Sequence, residues 1–254
     1  MKNPLADQLK SIGLHHIGAT VDDLIALATK HRWTHAQLLE RIVEMESQDR
    51  ARKGLERRLR RSRIGRFKPM ADFDWTWPKR IDRAAVEAAL KLDFLDSARN
   101  VVLVAPQGLG KTMIAKNIAH QAIVAGKTAL FTTAAQMLLD LGSRDSARAL
   151  DRRLKHYSTV GLLCIDEIGY LSYDARNADL LFEVITRRYE NRSLVLTTNL
   201  AFSDWPTIFP NATCAIALID RAIHHADIIP IEGESYRRRE AETAKKARKT
   251  KAPA

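Results

Sequence analysis

Apolar and polar positions along this chain follow two different periods. Over residues 1–66 the apolar residues recur at helical spacing only. The stretch Val21-Asp22-Asp23-Leu24-Ile25-Ala26-Leu27 has this pattern and predicts an amphipathic helix. Thr34 precedes His35, and Leu38, Leu39, Ile42, Val43 and Met45 follow as an apolar stripe. A threonine there predicts the N-cap of a helix that starts at His35 and runs into an arginine-rich stretch. No strand is expected in this part. Residues 67–80, FKPMADFDWTWPKR, break the period with Pro69, Pro78 and the aromatics Phe73, Trp75 and Trp77. Such a segment predicts a linker with anchoring side chains.

From residue 81 onward short apolar runs alternate with amphipathic ones. Asp82 is the expected cap of a helix reaching about Ala98. Strands are expected at Val101–Ala105, Thr128–Thr132, Val160–Ile165, Leu194–Thr198 and Asp227–Ile231. Helices are expected after residue 110 to near Gly126, from a cap at Thr133, over Ala175–Asn191 and over Thr213–His225. Five strands separated by helices predict an α/β fold with a parallel sheet covered on both faces. The expected organisation is a helical module at 1–66, a linker at 67–80, an α/β core at 81–239 and a basic tail at 240–254. The tail has no apolar face and reads as disordered. No internal repeat is visible.

Charge sharpens this picture. The chain of 254 residues carries a net charge of +11. Residues 50–68 hold ten Lys/Arg against Glu56, and residues 237–251 hold eight against Glu240 and Glu242, so the rest of the chain is near −4. An ordinary domain with two basic appendages implies a polyanionic partner, most simply nucleic acid. The two cysteines, Cys164 and Cys214, sit in mostly apolar surroundings and read as buried free thiols, with neither a disulfide framework nor a zinc set. The first residues lack the apolar stretch of a signal peptide, and no run reaches membrane-spanning length. A soluble, cytoplasmic protein with no membrane partner is expected.

The candidate chemistry starts at residues 105–112, APQGLGKT. Apart from Ala105 in place of the first glycine, they fit the phosphate-binding pattern G-x-x-x-x-G-K-[ST], between a strand and a helix. The loop and its first turn, Pro106, Gln107, Gly108, Leu109, Gly110, Lys111, Thr112 and Met113, are the expected nucleotide contacts. Gly108 and Gly110 let the backbone curl, Lys111 would reach the β- and γ-phosphates of ATP, and Thr112 would ligate Mg²⁺. An alanine at 105 is tolerable if its φ is negative. The strand Gly161-Leu162-Leu163-Cys164-Ile165-Asp166-Glu167 ends in two carboxylates. Asp166 would hold Mg²⁺, and Glu167 would orient the attacking water as general base. Asn199 ends the run Leu194–Thr198, where it either senses the γ-phosphate or closes a turn. Arg221, on a late helix, is either an arginine finger for a neighbouring subunit or a surface arginine beside Asp220.

The runs DRAIHHADIIPIEGESYRRRE (220–240) and TTNLAFSDWPTIF (197–209), with the arginine-rich helix and Phe73-Asp74-Trp75, make residues 5–240 resemble the IstB family. These are the ATPase subunits of insertion-sequence transposition systems, grouped with bacterial helicase loaders in the initiator clade of AAA+ ATPases. The resemblance implies a P-loop AAA+ core without a C-terminal lid domain. It also implies an ATP-dependent, DNA-binding homo-oligomer that partners a transposase. It implies that the Asn199 strand lies between the P-loop strand and the Asp166 strand, and that Arg221 lies at a subunit edge. Ala105 departs from the family's glycine. Tyr236-Arg237 matches a signature at the end of the family's core, where Arg237 would be a sensor.

The basic run itself reads as a contact to duplex DNA through Arg50, Arg52, Lys53, Arg57, Arg58, Arg60, Arg61 and Arg63. No aromatics or base-reading amides are interleaved, so the contact would be to phosphates and weakly sequence-specific. Trp75 and Trp77 would stack on a base or pack the linker down. The pairs His15-His16 and His224-His225 lack metal-ligand spacing, because adjacent residues on a helix point apart. Two other functions fit the same residues: a replicative helicase loader, and a DNA-architectural protein that binds ATP without turnover.

Overall fold

The structure is a computed structural model that describes residues 4–170, 172–236 and 238–240. Arg237 and the tail from 241 onward lie outside the described residues. The chain divides into two compact units after Arg58.

The first unit is helical: α1 (Pro4–Ser11), α2 (His15–His31) and most of α3 (His35–Ser62). The stripe Ile17, Val21, Leu24 and Ala28 of α2 is buried, as the helical period requires. Gly18 is obligatory where α1 crosses α2, because an added Cβ would lie 2.7 Å from Lys10 Cγ and 2.8 Å from the Ala6 carbonyl. Thr34 caps α3 as expected. Its Oγ1 accepts from the Gln37 N–H (3.2 Å), and the Gln37 side chain accepts from the Thr34 N–H (2.9 Å), a reciprocal capping box. Buried Glu46 on α3 accepts the His16 and Ile17 N–H groups that open α2. Burial would raise its pKa, but these N–H bonds and Arg50 outweigh it and hold the carboxyl below its usual value. The expected apolar stripe of α3 is only half buried. Leu38 and Ile42 are partly covered, while Leu39 and Val43 are 62% and 65% exposed.

The second unit holds a six-stranded sheet, one strand more than the sequence pattern predicts. Its elements are β1 (Arg80–Ile81), α4 (Arg83–Lys91), β2 (Asn100–Val104), α5 (Lys111–Val124), β3 (Ala129–Thr133), α6 (Ala134–Gly142), α7 (Ala147–Thr159), β4 (Leu162–Ile168), α8 (Ala175–Arg188), β5 (Leu194–Thr198), α9 (Ala212–Ile223) and β6 (Ala226–Glu232). The strand order is β1-β6-β2-β5-β4-β3. All pairs are parallel except β1 with β6, where Arg80 faces Glu232 and Ile81 faces Ile231. Strand β5 lies between β2 and β4, as the family resemblance implied. The interior strands β2, β4 and β5 are buried almost throughout; each such Val, Leu or Ile contributes about 1.5–3 kcal/mol.

Several boundaries differ from expectation: α8 stops at Arg188, short of Asn191, and β4 runs on to Ile168. The helix capped by Asp82 stops at Lys91, because Leu92 is left-handed (φ 72°) and a 3-10 turn follows at Asp93–Leu95. Thr133 does cap a helix, but two helices fill the interval to β4, the second opened by Ser146. Helix α9 ends at Ile223, short of His225. Cys164 is buried as expected, and Cys214 is partly exposed. Among the described residues no helix is long and apolar enough to cross a membrane.

Arg188 has no counterpart in the sequence reading. It is fully buried at the end of α8. Its guanidinium donates to the carbonyls of Tyr157, Ser158, Val160, Gly161 and Ser193, tying the end of α7 to the starts of β4 and β5. Burial lowers its pKa to about 9, which leaves it charged at neutral pH. Arg188→Met keeps the volume and removes the donors. Each buried carbonyl left bare costs about 1–3 kcal/mol, so a loss of about 3 kcal/mol or more is expected in urea unfolding. Arg188→Lys, without the planar fork, should restore only part of it. A shift within error for Arg188→Met would refute the assignment.

Candidate functional site

At the end of β2 the Ala105 N–H continues the sheet by donating to the Thr198 carbonyl (3.1 Å). Ala105 is buried, and its φ lies outside the positive region, which holds six non-glycine residues among those described. Its methyl group therefore costs no backbone strain. Gly108 and Gly110 do take positive φ, 82° and 86°. A Cβ on Gly110 would come within 2.6 Å of the Phe73 ring, and one on Gly108 within 2.1 Å of Ser235 Oγ. Helix α5 starts at Lys111, so its free N–H groups face the loop. The buried Lys111 ammonium donates to the carbonyls of Ala105 (2.6 Å) and Pro106 (2.8 Å).

The two carboxylates sit on a β-bulge. Ile165 pairs with Leu196, but Ile168 pairs with Thr198, so β4 carries one extra residue there. Glu167 absorbs it with φ 63°, a conformation that costs a non-glycine residue about 1–3 kcal/mol. The bulge turns Asp166 inward, where it is buried, and Glu167 outward, where it is exposed. Thr197 locks both: its Oγ1 accepts the Glu167 N–H (2.9 Å) and donates to Asp166. Thr112 Oγ1 donates to the Asp166 carboxylate at 2.9 and 3.1 Å. A hydroxyl and a buried carboxylate meeting at the N-terminus of a helix are hard oxygen donors that fit Mg²⁺. Thr197 is not among the residues expected from sequence, although a threonine after the apolar run Leu194–Leu196 is a visible signal.

A cavity of about 670 Å³ opens beside these groups, lined by the loop, Glu167, Thr197, Asn199 and the linker. The linker is fixed by Asn117, a buried residue of α5. Its amide donates to the Lys68 and Met113 carbonyls, and its oxygen accepts the Met70 N–H. Trp77 lines the cavity and anchors the segment: its indole N–H donates to the Glu234 carbonyl (2.8 Å), and Arg239 lies 4.3 Å over its ring. Trp75 packs instead against Phe73 and under Arg83. Tyr236 donates its N–H to the Gly108 carbonyl and also lines the cavity.

Thus the structure gathers Gln107, Leu109, Lys111, Thr112, Met113, Glu167 and Asn199 on one cavity, with Asp166 behind Thr112. Arg221 is not on it. Its guanidinium lies 4.5 Å over the Phe182 ring and donates to the Ala217 carbonyl. The basic run is also divided. Arg50 pairs with Glu46, Arg52 with Asp49 and Glu56, and Lys53 with Asp49. Arg57, Arg60, Arg61 and Arg63 are exposed and, among the described residues, have no carboxylate at ion-pair distance, while Arg58 is half-buried.

A family model described as IstB-like ATP binding protein matches residues 7–244. A protein of Pseudomonas aeruginosa named for ATP binding in insertion sequence IS21 is 34% identical over 236 residues, covering 93% of this chain and 89% of that one. One from Geobacillus stearothermophilus, named likewise for IS5376, is 33% identical over 213 residues, covering 84% and 85%. Among solved structures, DnaI shares the fold with a TM-score of 0.54 at 19% identity, covering 68% of this chain and 91% of that chain. The α/β unit thus shares its fold with DnaI, and the chain belongs to the IstB-like family of ATP-binding proteins.

Proposed function

We propose that this chain hydrolyses ATP, assembles as a homo-oligomer on duplex DNA, and there recruits or stimulates the transposase of its own insertion sequence. The observation that carries the reading is the meeting of Thr112 with Asp166 beside an exposed Glu167 on one cavity. The left-handed glycines and the start of α5 offer backbone N–H groups to phosphates. Lys111 exchanges two loop carbonyls for phosphate oxygens. Mg²⁺, held by Thr112 and Asp166, would neutralise charge on the β- and γ-phosphates when bound. Glu167 orients the attacking water and takes up its proton. Asn199, at the end of the strand between β2 and β4, faces the γ-phosphate, and the linker walls the base. The exposed Leu39 and Val43 of α3 support self-association of the helical module. The names of the relatives support the link to an insertion sequence. The test is steady-state ATP turnover with duplex DNA, with single strands and with neither. Stimulation by duplex is expected. Absence of turnover in all three would leave the architectural reading, and a single-strand preference the helicase-loader one.

The division of the basic run makes a sharper prediction. Replacing Arg57, Arg60 and Arg61 by Gln should weaken duplex binding and flatten its salt dependence. Each phosphate that is no longer neutralised lowers the log–log slope by about 0.9. Replacing Arg50, Arg52 and Lys53, already paired with carboxylates, should change the slope less. An unchanged slope in the first variant would mean that this end of α3 meets something other than DNA.

A further inference from the structure

His224 and His225 were expected to diverge on a helix. In the structure α9 ends at Ile223, and His224, its C-cap, keeps a helical backbone (φ −50°, ψ −42°) with its N–H on the Asp220 carbonyl. The two rings nevertheless meet, tilted by 45° with centroids 4.0 Å apart. Glu190 reaches them from the turn after α8, its Oε1 3.8 Å from His225 Nε2. One ligand atom from each of Glu190, His224 and His225 lies within 4.8 Å of the others. We propose that these three side chains form a transition-metal site, of the Zn²⁺ class, that clips the end of α8 to the end of α9.

Three further features support it. Zn–N and Zn–O bonds of about 2.0–2.1 Å in a tetrahedron set ligand atoms about 3.3 Å apart. The observed spread closes to that by small rotations of exposed side chains, with water as the fourth ligand. A metal-bound histidine almost always donates its other ring N–H to an oxygen. Here His224 Nδ1 lies 2.6 Å from the Tyr189 hydroxyl; in the tautomer where Nδ1 donates, Nε2 offers its lone pair to the ion. The backbone is also held on both sides. The Tyr189 N–H closes α8 on the carbonyls of Ile185 and Thr186, Glu190 is left-handed at φ 58°, and the His225 carbonyl accepts the Asn100 N–H (2.8 Å). Two imidazoles and one carboxylate suit Zn²⁺ and not Mg²⁺, which needs an octahedron of oxygens. The cluster lies where β2 and β6 begin, whereas the nucleotide loop follows the end of β2, so the two metal sites are separate.

The test is calorimetric titration of the untagged, metal-free full chain with ZnCl₂, paired with Co²⁺ absorption as a readout of tetrahedral nitrogen and oxygen ligation. One equivalent is expected at this site. His224→Ala, His225→Ala and Glu190→Gln should each abolish it. Tyr189→Phe, which keeps the ring and removes the partner of Nδ1, should weaken it about 10–100-fold. Asp166→Asn should leave it unchanged, which separates this ion from one at the nucleotide site. Circular dichroism in metal-free buffer checks that each variant folds, and the exposed Glu190 supplies the variant least able to disturb folding. No stoichiometric Zn²⁺ binding by wild type, or equal binding by the His224, His225 and Glu190 variants, would overturn the proposal.

Discussion

Glu167→Gln is expected to bind ATP as wild type does and to turn it over about 10²–10⁴-fold more slowly, the usual contribution of a general base. Gln keeps the length and shape of Glu. The backbone bond from residue 167 to Thr197 Oγ1 does not involve the side chain, so the bulge should persist and Asp166 should stay on Thr112. Only the carboxylate facing the cavity is lost. Binding of a fluorescent ATP analogue separates this from a collapsed site, and steady-state hydrolysis measures the loss. Thr197→Val provides a second handle. It removes both the acceptor for the Glu167 N–H and the donor to Asp166, so it should impair binding and turnover together. Normal turnover by Glu167→Gln would remove Glu167 from the role of base.

The parts of this molecule that were legible in its sequence are those whose signal is local. An N-cap is one residue before a helix, and Thr34, Asp82 and Thr133 each cap as expected. A buried parallel strand is a short apolar run, and five of them were visible. The juxtaposition of Lys111 and Thr112 with Asp166 and Glu167 was legible because the loop before Lys111 follows the end of one apolar strand and the two carboxylates lie near the end of another. Ends of parallel strands meet on one edge of the sheet. What was hidden depends on distant partners. Strand β1 is two residues long and exists only through its pairing with β6. Arg188 looks like any charged residue near a helix end, and four of its five carbonyl partners lie 27 to 31 positions away. Asn117 sits in an otherwise ordinary helix face, and its two partners in the linker lie 47 and 49 positions away. The end of α9 carries no glycine or proline, so its sequence pattern runs two residues past the true end, and the meeting of His224 with His225 has no signal in their spacing.

Arg221→Ala is expected to bind ATP nearly as wild type does and to hydrolyse it about 10³–10⁵-fold more slowly, the usual contribution of an arginine finger. The reason is geometric. Arg221 does not line the cavity of its own chain, and its guanidinium rests on the Phe182 ring, where a cation–π contact holds it. A role in hydrolysis therefore requires the phosphates of a neighbouring subunit. If Arg221 were only a packing residue, its loss would lower stability and leave the rate per folded chain unchanged. Arg221→Lys separates the two as well: a lysine keeps the charge over Phe182 but not the planar fork that clamps a phosphoryl group. It should fold normally and remain slow. Lys111→Ala, with no ammonium for the phosphates, should not bind ATP at all. Mixed with Arg221→Ala, it should recover part of the activity, because an intact loop from one subunit then meets an intact arginine from the other. The measurement is hydrolysis rate against protein concentration for wild type, each variant and the mixture. A wild-type rate strictly proportional to concentration at all dilutions, with no recovery in the mixture, would show that the site is complete within one chain.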